Sequence, residues 1–418
     1  DNDSKHMLSI SAPVAQDIQS FLRMAAPLLG PQPPQQPALT DAQKLVKLLS
    51  CSNPGAQLAA RNILCRALGE DNGKRNGALV LQLGGPVLVA ELAKILSAPI
   101  ALNGAIAFSA LAEGAGEQVR ELLMKDPTLM KGLIALVKLE APAAARAEEA
   151  RTKAARFFFV VISSGNRYHI ELLLRDKQVS IIQVFTSLAV KEENSPVSSE
   201  GRQAAQIALL SLANLIQSGF EQQVLQAESL PRMLEIALSY GASVDDALSC
   251  LVALTRSEAG RTALINANAH QGLIQQLDQH TDKSILQKML RILGNLTIDD
   301  SGRDAIEKIP NAITQAIFIL QVNPADSPVA LSAVRFLMNM SACESLLHSF
   351  VQLNGIYVAF RACQDSKDDK NREYLLAIIA NAVSEEESTE ACMEVKLIPY
   401  LVSLLSSTTM PLVREAIR

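Results

Sequence analysis

Along most of the chain apolar residues recur at intervals of three and four, as in Lys44-Leu45-Val46-Lys47-Leu48-Leu49, with no sustained alternation of period two. That spacing puts the apolar positions on one side of a helix and gives no signal for strands. Breaks between the helical stretches share a signature: Gly84-Gly85-Pro86-Val87-Leu88-Val89, Leu230-Pro231-Arg232-Met233-Leu234, Asn354-Gly355-Ile356-Tyr357 and Ile398-Pro399-Tyr400-Leu401. Glycine tolerates the positive φ needed where a helix stops, and proline suits the first turn of the next one. The pattern therefore predicts helix, sharp turn, helix.

Each of these breaks follows a helix with a slot in a second signature. Ser211-Leu212-Ala213-Asn214-Leu215-Ile216, Ile292-Leu293-Gly294-Asn295-Leu296-Thr297, Phe336-Leu337-Met338-Asn339-Met340-Ser341 and Ile378-Ile379-Ala380-Asn381-Ala382-Val383 place Asn in one recurring slot. The same slot holds Ala67, Ala110, Val161 and Ala253 elsewhere. Its period is ~42 residues, with two units of about 50, the size of a three-helix repeat. The longer units carry Ala141 to Arg151 and Lys191 to Gly201. Insertions of this kind map to loops on one face of a repeat array, although an extended helix or an unstructured connection accounts for them equally.

The opening x-Gly-x-Ile/Val-Pro-x-Leu-Val-x-Leu-Leu and the closing Ala-Leu-x-Asn-Leu resemble armadillo repeats, over about residues 39–418 in nine units. The resemblance implies an all-α, right-handed superhelical solenoid whose last repeat is cut short, at Pro411 to Arg418. It also implies that the third helices line a concave groove where the Asn amides meet the backbone of an extended peptide. In importin-alpha-like members a Trp stands four residues before the Asn. Here those positions are Leu210, Arg291, Arg335 and Ala377, and the chain has no Trp. A groove for basic localisation signals is therefore not expected.

Residues seven, four and zero places from the slot share a helical face. That aligns Lys288, Arg291 and Asn295, with Arg335 and Asn339 beside them and Tyr374 and Asn381 beyond. Together with Asn214 these form the expected partner-binding strip, basic in the later repeats. Arg offers forked donors to carboxylate or phosphate, so the expected partner is an extended acidic or phosphorylated protein segment. A competing arrangement pairs Arg291 and Arg335 with Asp299, Asp300 or Glu344 and turns the Asn side chains inward. The early slots, with Ile63, Ile106 and Phe157 four places back, are apolar. This half of the groove is expected to be filled by the extra N-terminal helix, a partner helix or self-association. An interaction scaffold is thus the leading function, with a myosin-chaperone-like co-chaperone or an autoinhibitory domain of a larger protein as alternatives.

Composition narrows the chemistry. The 418 residues are 49% apolar and 19% charged, too apolar for a disordered chain and too long for one core. Lys plus Arg number 38 against 43 Asp plus Glu, so nothing demands nucleic acid or an anionic membrane as partner. The six cysteines form no CxxC pair and the five histidines no HxxxH, so neither metal nor cofactor is expected. Scattered cysteines suit a reducing, cytoplasmic setting, with the nucleus as alternative. No apolar stretch reaches the ~18 residues of a membrane span. Ser163-Ser164-Gly165-Asn166 lacks the Gly-x-Ser-x-Gly of hydrolases and Gly114-Ala115-Gly116 the third glycine of a dinucleotide loop. No enzyme is expected.

Residues 1–7 read as a vector-derived tag and 8–38 as an amphipathic helix followed by the proline-rich linker Gly30 to Pro37. Leu8, Ile18, Phe21, Leu22 and Met24 give that helix an apolar side, which should dock as a cap on the first repeat.

Overall fold

A computed structural model of the chain describes residues 10–30, 39–74, 76–97, 100–139, 145–175, 180–189, 199–309, 311–383, 388–406 and 409–417. Among these residues there are 27 α-helices, two 3-10 turns and no strand. None of the helices is long and apolar enough to cross a membrane. The chain divides into two compact units, Asp1–Phe220 and Glu221–Arg418.

In the first unit the third helices of successive repeats are Pro54–Gly69, Ala101–Gly114, Ala145–Ser163 and Ser199–Gln217, each packed on the next. In the second they are Val244–Leu254, Lys283–Leu296, Pro328–Met340, Asp369–Ala382 and Met410–Ile417, stacked likewise. Every slot residue from Ala67 to Asn381 falls within a third helix. The two longer units lengthen theirs: both Ala145–Ser163 and Ser199–Gln217 run for 19 residues. Of the two insertions, residues 141–144 and 191–198 lie outside the described residues.

Short polar residues start the helices. Thr40 and Gln43 form a reciprocal capping box, in which Gln43 N donates to Thr40 Oγ1 and Thr40 N to Gln43 Oε1. Asn53, Asp126, Ser257, Asp282 and Ser327 accept first-turn N–H groups elsewhere. Ahead of six of the second helices, though not Pro127–Lys138 or Ile181–Leu188, the turn is left-handed, and glycine is not its usual provider. Gly85 supplies it once, then Glu228, Asn268, Asn311, Asn354 and Lys396. At Asn354-Gly355 the expected roles are exchanged. Asn354 takes the positive φ of 58°, which its short polar side chain tolerates, and Gly355 makes room for Phe350, whose ring would lie 2.5 Å from an added Cβ.

The N-terminal helix, Ala12–Leu29, packs on Asp41–Leu48 and Pro54–Gly69 and belongs to the first unit. Its buried stripe is Val14, Ile18, Leu22 and Ala25, spaced four, four and three apart. Phe21 and Met24 fall beside that stripe, and Met24 is 75% exposed. Polar ties fix the docking: Arg66 pairs with Asp17 at 2.7 Å and Lys47 Nζ donates to the Leu29 carbonyl at 2.8 Å. Leu8, the tag at 1–7 and the linker at 31–37 lie outside the described residues.

Three imidazoles are held below their ordinary value of 6.5, each chiefly by burial: His169, His270 and His280. A depressed folded-state pKa means that, as the pH drops below about 6.5, the unfolded chain binds protons which the folded chain excludes. Stability should therefore be full above pH 6.5 and fall between about pH 6.5 and 5, before most carboxylates titrate. Melting temperatures measured across that window should decline less steeply in a His169→Leu, His270→Leu double variant; an identical slope would remove the imidazoles as the cause.

Candidate functional site

The strip expected on the later third helices is an outward stripe of the second unit. On Lys283–Leu296 the solvent-facing positions include Ser284, Lys288, Arg291 and Asn295, because Leu286, Met289, Leu290, Ile292 and Leu293 turn inward to the neighbouring repeats. Arg335 and Asn339 occupy the same places on Pro328–Met340, and Tyr374, Ala377 and Asn381 on Asp369–Ala382.

Chemically these residues separate into two sets. Asn295 Nδ2 donates to Thr255 Oγ1 at 2.8 Å, Asn339 Nδ2 to Thr297 Oγ1 at 3.2 Å and to the Gly294 carbonyl at 2.8 Å, and Asn381 Nδ2 to Ser341 Oγ at 2.8 Å. Each receiving hydroxyl stands two places past the slot of the preceding repeat and donates in turn to a carbonyl of its own helix: Val252, Gly294 or Met338. Each of these amides thus uses at least one N–H between repeats. Packed third helices bring each slot against the end of the helix before it, within hydrogen-bond reach. Asn214, in the first unit, has no side-chain partner among the described residues.

Lys288 is not a free cation either. Its ammonium pairs with Asp245 at 2.6 Å and donates to the Asp245 carbonyl. Tyr374 is half-buried with the Lys370 ammonium 5.8 Å from its ring centre.

Arg291 and Arg335 are different. Both are exposed, and neither has an ion pair or hydrogen bond among the described residues. The acids that could have neutralised them are engaged: Asp299 takes Arg261 through two bonds, at 2.5 and 3.1 Å, and Asp300 takes Arg303. The guanidinium of Arg261 holds the Asp299 carboxyl below its usual range, so that pair persists at neutral pH. The Glu344 side chain lies outside the described ones. Sequence reasoning overlooked Arg256, which is exposed, with no side-chain partner among the described residues, just beyond Thr255, the residue that receives Asn295. Its position three past the slot, next to a hydroxyl, was the available signal.

The early positions do not form an apolar groove. Phe157 and Val161 are fully buried, Ile63 and Ala110 nearly so, and Ile106 is half-buried. Phe157 meets Phe158 edge-on at 5.3 Å, and Phe158 meets Phe185 at 6.5 Å. Neighbouring repeats cover these side chains, so they offer little surface to a partner or a second copy.

No protein-family model matches the chain, and no curated protein does. Among solved structures, an engineered protein superposes with a TM-score of 0.66 at 20% identity, over 90% of this chain and 87% of its own. A designed armadillo repeat protein matches with a TM-score of 0.49 at 14% identity, over 60% of this chain and 99% of its own. The first likeness is one of fold, an all-α helical repeat array.

Proposed function

We propose that the chain is a protein-binding scaffold of armadillo type, whose outward third-helix stripe in the second unit holds an extended acidic or phosphorylated segment. The observation that carries this reading is the pair Arg291 and Arg335: equivalent positions on adjacent third helices, both exposed, both without an anion, among neighbours whose charges are paired. Packed helices stand ~8–10 Å apart and an extended chain advances ~3.3–3.6 Å per residue, so the two guanidiniums match acidic groups two or three residues apart. Arg256 extends the same basic surface.

Charge-assisted bonds of about 1.5–3 kcal/mol each make the reversal Arg291→Glu with Arg335→Glu a severe test. Fluorescence anisotropy with a labelled peptide carrying phosphoserines at two- and three-residue intervals should show affinity falling at least about tenfold, and falling with salt in the unmodified protein. Equal affinity of the two proteins would sink the reading. The co-chaperone alternative required a broad exposed apolar surface in the first unit, and burial of Phe157 and Ile63 leaves it without that support.

A further inference from the structure

A groove of about 840 Å³ lies away from this stripe, between the second helices Ala269–Gln276 and Ala312–Val322. His270, Gln271, Gln275, Lys308, Asn311 and Gln315 are in its wall. His270 stands two residues past the left-handed turn residue. At that place Leu230, Ile313 and Ile356 are interior, 8%, 6% and 1% exposed, whereas Val87 and Ile398 are exposed. His270 is 7% exposed, yet its Nδ1 has no hydrogen-bond partner among the described residues. A leucine would fill this place without leaving a polar atom unsatisfied, so the imidazole points to a partner that the chain does not provide.

Three further features converge on the same groove. Gln315 Oε1, from the opposing helix, is also buried without a partner. Both helices begin at a left-handed Asn, Asn268 or Asn311, whose side chain does not cap; Gln271 N–H donates to the Asn268 carbonyl, and the N–H groups of the first two residues of each helix are left for another acceptor. Lys308 is exposed with no ion pair among the described residues. The one acid in the wall, Asp278, lies at the far, C-terminal end of the Ala269–Gln276 helix.

We propose that this groove is a phosphate-binding site, in which the His270 ring, Lys308 and the two helix N-termini hold the anionic oxygens and Gln315 accepts from the protonated one. Hydrogen phosphate, or a phosphate ester below about pH 6, has a proton to give Gln315, whereas an ionised carboxylate has none. Phosphate could come from a phosphorylated side chain or from a small phosphorylated metabolite, and the chemistry at the groove is the same.

Inorganic phosphate titrated into the full chain at neutral pH, against chloride at matched ionic strength, should shift the His270 ring resonances saturably. By calorimetry, affinity should fall at least about tenfold in His270→Leu, which restores the residue type at position 230, and also in Lys308→Gln. Lys131→Gln, at an exposed lysine of the first unit, should leave it unchanged. Repeating the titration with a phosphoserine peptide and with a nucleoside monophosphate identifies the source by whichever binds more tightly than phosphate itself. Absence of a saturable shift at millimolar phosphate, or equal affinity in the two groove variants, overturns the proposal.

Discussion

Phe158→Ala should destabilise the first unit by about 4 kcal/mol. The ring is fully buried where Ala145–Ser163 meets its neighbours, with Phe157 and Phe185 set edge-on against it. Truncation removes both ring contacts and leaves a cavity between long helices that cannot collapse without breaking the packing of Ala101–Gly114 and Ser199–Gln217 on either side. Denaturant unfolding gives the size of the loss, and hydrogen exchange its location, which should be residues 101–217. A cost under ~1 kcal/mol would mean that the aromatic cluster repacks freely.

Gly302→Ala should cost about 3 kcal/mol in the second unit, although it adds a single methyl group. An added Cβ would lie 1.9 Å from the Leu296 carbonyl oxygen and 2.7 Å from its carbon, backbone atoms that cannot rotate away. The Asp300–Glu307 helix would have to slide. That would stretch the bonds from Arg303 to the Thr297 and Ile298 carbonyls, now 2.8 and 3.0 Å. A Cβ added at Gly260, 42 residues earlier in the same repeat position, would lie 2.0 Å from the Leu254 carbonyl oxygen, so Gly260→Ala should behave alike. A Gly302→Ala protein with an unchanged melting temperature would show that this approach is slack.

The sequence made the helices and the repeat visible because both are written locally, in three-and-four spacing and in a slot that returns every ~42 residues. The orientation of Lys288, Arg291 and Asn295 on one stripe was legible for the same reason. Their partners were not, since Lys288 meets Asp245 and Asn295 meets Thr255, each a whole repeat away. Periodicity also does not say which side of a helix its neighbours cover, which is why Phe157 read as groove and is core. Glycine at 355 read as a turn residue because composition cannot distinguish a need for positive φ from a need for space.

The chain of amides and hydroxyls running from Thr255 to Asn381 bears on how such an array can grow. A unit that carries an asparagine on its entering side and a Ser or Thr hydroxyl on its leaving side is complementary to a copy of itself. Tandem duplication of one such unit would therefore create a junction whose polar groups are already matched, with no compensating substitution required. Lengthening by duplication would be tolerated in the two units that carry both groups, those ending in Asn295 with Thr297 and Asn339 with Ser341. Around Ala67, Ala110 and Val161 the slot itself carries no amide for such a match.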